Sequence, residues 1–192
     1  PVLKWEEDIQ PLLKKINIDT ENIDQKTQQL ISNPRELSLF VDLATHNGSA
    51  NFISSQALAQ KYLRVLVQSD PLLGSSAMKA IEGMAEDMLK SRSLSVAEQR
   101  CSANEEIKRK LLSLNILQYT HEHQLTFGHQ TLLDVLVISG AIRQGVTLYQ
   151  FIQNLPPVPF VRPSIRGFVD QLLLENKYVL FSQVTPPFTL DV

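Results

Sequence analysis

Residues 114–141 read LNILQYTHEHQLTFGHQTLLDVLVISGA, and this stretch decides the fold. Leu117, Tyr119, Leu125 and Phe127 alternate with polar residues on either side of a polar turn at 120–124, the period-two pattern of a β-hairpin. After Gly128 the period changes. Leu132, Leu133, Leu136 and Val137 recur at the spacing of one helix face. His129 therefore stands on the first turn of a buried helix, directly behind a strand, with an acid at Asp134.

Working outward, helical period dominates. Asn33-Pro34-Arg35-Glu36 is a helix start written in residue types. Asn33 can accept from free amides, Pro34 has no amide to lose at the first helical position, and Glu36 is spaced to reach back to the cap. Leu37, Phe40, Val41 and Ala44 follow at i, i+3, i+4 and i+7. Earlier, Trp5, Ile9, Leu12 and Leu13 share a face that Pro11 starts or kinks, and Thr20 is placed to cap a helix through Leu30. HNGSAN (46–51) reads as a loop. Ser54 or Ser55 then caps a helix carrying Leu58, Tyr62, Val65 and Leu66, which Asp70-Pro71 ends. Ser75 or Ser76 precedes an amphipathic helix with Ala77, Ile81, Met84, Ala85 and Met88. A short helix over 96–100 leads to Ser102-x-x-Glu105, a capping box for a helix striped by Ile107, Leu111 and Leu114.

Three helices followed by a hairpin is the order of a winged helix-turn-helix. The expected class is all-α with a small β-hairpin: a helical domain over 1–50, a winged-helix domain over 51–145, and the start of a helical-repeat region with a tail over 146–192. In that last part, helices are expected over 147–154 and 164–175. LPPVPFVRP between them holds four prolines, too many for a regular element. The tail VTPPFTLDV has little to fold with.

Composition narrows the function classes. With 192 residues, 43% of them hydrophobic and 20% charged, the chain can bury a sizeable core. A net charge of −2 argues against a dedicated nucleic-acid binder and gives no attraction to anionic membrane. The single cysteine, Cys101, allows no internal disulfide and fits a reducing, cytoplasmic setting. No apolar run reaches the roughly 18 residues of a membrane helix.

Few residues form a chemical constellation. His121 and His123 share a face at i, i+2 of a hairpin strand, yet two imidazoles without a third ligand are a weak metal signal, and a solvated hairpin tip is the simpler reading. Cys101 has no base partner in sequence. Lys108-Arg109-Lys110 lies on the helix that a winged-helix regulator inserts into DNA. Glu105 and Glu106 at that helix's start would repel phosphates, so the run reads as a solvated face. Arg162 and Arg166 near the connector read as salt-bridge partners. No nucleophile, base and orienting acid appear at a recognised spacing, so the chain on its own is not expected to be an enzyme.

The Phe127-x-His129 pattern with its hydrophobic helix and Asp134 resembles the end of the winged-helix domain of STAND NTPases, the signalling ATPases that include NACHT-type immune receptors and bacterial relatives. ISNPRELSLFVDLA (31–44) resembles the helical domain that follows their NTPase core, and FVRPSIRGFVDQLL (160–173) resembles the start of their helical-repeat sensor. The chain departs from the family in having no G-x-x-x-x-G-K-[ST] phosphate loop. Beginning at Pro1 without Met, it is expected to be a piece of a longer protein. The resemblance implies that Pro34 packs against a nucleotide base and that His129 contacts the terminal phosphate of ADP. It further implies ATP or ADP in the parent but no cofactor held by this piece. The implied partners are the upstream NTPase domain, the downstream repeats and a homo-oligomer of the parent, with no membrane and no nucleic acid. The rival readings are a winged-helix DNA-binding transcriptional regulator and a protein-binding adaptor.

Overall fold

The structure, a computed structural model, describes residues 2–47, 50–154, 165 and 167–169. The chain is mostly helical with a small antiparallel sheet of three strands. A π-helical turn at Trp5–Ile9 runs into α1 (Gln10–Lys15), with Pro11 in the first turn where no amide is needed. α2 (Gln25–Ile31) is capped by Asp24, whose carboxylate accepts from the Thr27 amide at 2.8 Å. Thr20, the expected cap, is buried instead. Asp24 wins because it sits in extended backbone one residue before the helix, where its oxygen meets the third free amide.

In α3 (Pro34–Asn47) the Asn33 side chain accepts from the Arg35 amide at 3.0 Å, as expected. The helix runs on through residues 46 and 47, which the sequence assigned to a loop. Its buried face is wider than the expected stripe, because α2 and α4 cover it from two sides and Leu39 and Leu43 are also enclosed. Ser54 caps α4 (Ser55–Leu63) by accepting from the Ala57 amide at 3.2 Å, and the helix widens into a π-helical turn at Arg64–Gln68. Asp70 closes that turn by accepting from the amides of Leu72 and Leu73. α5 (Gly74–Ser91) begins at Gly74, ahead of the expected serines. It ends on Arg92 in left-handed backbone, with the Ser93 amide reaching the Met88 carbonyl, a Schellman closure.

The sheet corrects the expected short helix over 96–100. Val96 and Ala97 form β1 (Val96–Ala97), and only Glu98–Arg100 turns, as a 3₁₀ helix. Val96 is β-branched and apolar, and pairing opposite Leu125 buries it. Such a strand is too short to show a period. α6 (Glu105–Ser113) is capped by Asn104, which accepts from the Ile107 amide at 2.8 Å, so the capping box expected from Ser102 is not used. The hairpin of β2 (Leu117–Tyr119) and β3 (Gln124–Phe127) pairs Leu117 with Phe127 and Tyr119 with Leu125, the alternation read from the sequence. The sheet order is β1-β3-β2.

α7 (Gln130–Arg143) is apolar on nearly every side, burying Leu132, Leu133, Val135, Leu136 and Ile138 as it passes between α4 and α5. One continuous core runs from Ile9 to Leu136. It crosses the expected boundary at 50/51, where Thr27 bonds both the amide and carbonyl of Phe52, and Phe52 sets its ring edge-on to Phe40. α8 (Leu148–Asn154) and Phe168 build a second, smaller cluster with Ile138, in which the rings of Phe151 and Phe168 stack at 4.5 Å. The expected connector at 155–163, most of the helix over 164–175, Arg162, Arg166 and the tail lie outside the described residues.

Candidate functional site

His129 is positioned by a chain of backbone events. α6 ends in a Schellman motif: Ile116 and Asn115 donate to the carbonyls of Leu111 and Leu112, with Asn115 in left-handed backbone. That turn aims the Asn115 carbonyl at Gly128, where a Cβ would lie 2.0 Å from the oxygen. Only glycine admits this approach, and the Gly128 amide donates to Ile116 at 3.0 Å. The strand-to-helix corner is thereby fixed. His129 follows in extended backbone as the N-cap of α7, but its side chain makes no capping bond. The ring is half-buried, and its Nε2 is enclosed without a partner among the described residues.

Pro34 occupies the opposite bank. It is exposed at the first position of α3. Two residues on, Glu36 accepts a long hydrogen bond, 3.4 Å, from the hydroxyl of Thr131, two residues after His129. The first turns of α3 and α7 therefore meet at one seam, with exposed Pro34 and Arg35 on one side and His129, Gln130 and Thr131 on the other. Glu36 is not the back-reaching half of a capping box, as the spacing suggested. It is 6% exposed, and its Oε2 has no hydrogen bond among the described residues.

Charge at the seam follows burial. Desolvation pulls the His129 imidazole below its ordinary pKa, with the Arg35 guanidinium pushing the same way and Asp42 opposing, so the ring is neutral at pH 7. Desolvation also raises the carboxyl of Glu36, against the favourable pull of Ser55, Thr131 and Arg35. It raises Asp42 as well, against the imidazoles of His129 and His46. Each helix N-terminus favours an anion, and a neutral imidazole can donate one N–H to it. The exposed Pro34 ring offers a flat apolar surface. The buried Nε2 does not face outward, so His129 meets an external phosphate only through its other nitrogen or by turning the ring. Glu36 counts against an anion placed deeper in the seam.

Other candidates are resolved differently. His121 and His123 lie in the turn between β2 and β3, with His123 in left-handed backbone, so they do not share a strand face. No cluster of three His, Cys, Asp or Glu able to hold a metal occurs among the described residues. Cys101 is buried. The basic run on α6 is a solvated face only in part: Arg109 is exposed, but Lys108 is enclosed and bridges Glu98 at 2.8 Å and Glu105 at 2.7 Å, and half-buried Lys110 pairs with Asp70. Tyr119 adds a hydrogen bond to Glu98, tying α6 to the hairpin.

A cavity of about 720 Å³ opens between α5, α7 and α8, over Leu136, Val137 and Phe151. It lies at the C-terminal end of α7, roughly 20 Å along the helix from His129 by its rise per residue, and touches neither Pro34 nor His129. Two of its charged groups are already committed to each other, Arg143 gripping Glu82 with both guanidinium nitrogens. The seam carries the unpartnered polar atoms.

Sequence reasoning named Pro34 and His129 but missed Glu36, Ser55 and Asp42 as their neighbours. Glu36 carried a signal, an acid inside an otherwise apolar helix face, which the capping-box spacing explained away. No helix among the described residues is long and apolar enough to cross a membrane. No protein-family model matches the chain, and no curated protein is found similar to it.

Proposed function

We propose that this chain is the regulatory helical and winged-helix segment of a STAND-type signalling ATPase. It closes over a nucleotide held by an upstream NTPase core and governs the change to an oligomerising state. The observation that carries this reading is the seam itself. Pro34 opens α3 and His129 caps α7, and the Glu36–Thr131 contact joins the first turns of those two helices across 95 residues of sequence. The helix, strand, helix, hairpin succession with β1 paired to β3 supports the winged-helix part of the reading.

The nucleotide would supply the anion and the base, and this chain the contacts. Pro34 presents an apolar plane, the α3 and α7 N-termini favour negative charge, and His129 donates a hydrogen bond that strengthens as the imidazole gains a proton beside phosphate. The chain has no phosphate loop, so its share is holding and release rather than hydrolysis. The DNA-binding alternative loses ground to the ion pairs of α6, because Lys108 and Lys110 already have carboxylate partners and two glutamates open the helix.

The test is the ADP dissociation rate of the parent protein with His129→Ala, beside the melting temperature of this chain alone. A lost charge-assisted hydrogen bond is worth roughly 1.5–3 kcal/mol, so release should quicken about tenfold or more while the chain still folds. An unchanged off-rate combined with a large loss of stability would make His129 a packing residue and sink the reading.

A further inference from the structure

Glu36 is a poor residue to bury where it lies. The residue is 6% exposed at the seam, one oxygen accepts the long 3.4 Å bond from Thr131, the Ser55 hydroxyl lends its pull to the charged form, and the other oxygen has no hydrogen bond among the described residues. Leu37, Leu39 and Phe40 around it pack well, so the helix would lose nothing in packing if an uncharged side chain stood at 36. A buried carboxylate recovers its missing hydrogen bonds only when water reaches it. On this surface that happens when the first turn of α7 draws away from α3.

We propose that Glu36 is a built-in opener of the α3–α7 seam: an under-bonded buried carboxylate that raises the free energy of the closed arrangement, so that the seam parts readily once whatever holds it is gone. As a regulatory device this rests on the nucleotide reading above, in which the held ligand lies beside His129. As a property of the seam it stands on the burial and bonding of Glu36 alone. Opposing it is the packing of α7 on α4 and α5, with Leu132 and Leu133 buried. The balance makes the seam closable by a modest ligand contact and self-opening without one.

Glu36→Gln separates charge from shape, since the amide keeps an acceptor for Thr131 and removes the carboxylate. The 192-residue chain with this change should melt higher. Hydrogen exchange in its 129–136 peptide should slow measurably. Thr131→Val takes the 3.4 Å hydroxyl partner from Glu36, so it should speed exchange in the natural background and have less effect in the Glu36→Gln background. An equal or lower melting temperature and unchanged exchange for Glu36→Gln would overturn the proposal, whatever the ligand. In the parent protein the same change should slow ADP release, opposite in sign to His129→Ala. Slower exchange in the isolated chain with unaltered ADP release would keep the opener and refute the nucleotide reading.

Discussion

Gly128→Ala should be among the costliest single-methyl changes this chain can suffer. The added Cβ would stand 2.0 Å from the Asn115 carbonyl oxygen and 3.1 Å from its carbon, and both atoms are backbone held in the Schellman turn of α6. Reaching ordinary contact requires the strand-to-helix corner to move by more than ~1 Å. That shift breaks the 3.0 Å bond from the Gly128 amide to Ile116. Overpacking costs about 1–3 kcal/mol and the lost bond about 1 kcal/mol, against a gain of about 0.5 kcal/mol from stiffening the unfolded chain. The net loss is therefore about 1.5–3.5 kcal/mol, which for a chain of this size lowers the melting temperature by roughly 3–14 °C. Gly83→Ala supplies the control. Gly83 lies inside α5 with nothing within 4 Å of a Cβ, so the same methyl should stabilise by about 0.5–1 kcal/mol through helix propensity. Urea unfolding of both variants reads the signs directly. Equal midpoints for Gly128→Ala and the natural chain, or a destabilised Gly83→Ala, would refute the account of how the corner before His129 is held.

Asn104→Ala should cost about 1 kcal/mol by removing the cap of α6, while Ser102→Ala should leave the urea midpoint unchanged, since Asn104 and not Ser102 meets the Ile107 amide. Asp70 gives a pH signature: the hydrogen bond from Lys110 and the amides of Leu72 and Leu73 hold its carboxyl below the usual 3.8. Because the folded pKa is depressed, its stabilisation is complete above the unfolded value and fades as pH falls through the folded one. Asp70→Asn should flatten that acid limb of the stability curve, and an unaltered limb would show that the Lys110 pair contributes nothing.

The sequence by itself determined what is local. Asn33-Pro34 dictated a helix start because a side-chain acceptor and a missing amide solve the terminus without help from elsewhere, and the Asn33–Arg35 bond realises it. The alternation around 117–127 dictated the hairpin, and the change of period at Gly128 dictated the switch to α7. Where several local solutions competed, tertiary structure chose among them. Asp24 and Asn104 displaced Thr20 and Ser102 as caps, and Val96 left a helical pattern because β3 offered an unpaired edge and the core a place for its side chain. The site divides the same way. His129 and Pro34 were legible as helix-start residues, but the Glu36–Thr131 bond that links the first turns of α3 and α7 spans 95 residues of chain, which no local period encodes. Glu36 and Lys108 were misread for one physical reason. A charged side chain defaults to water, and only the three-dimensional neighbours decide whether it is enclosed with two carboxylates, as Lys108 is, or with one oxygen left unbonded, as Glu36 is.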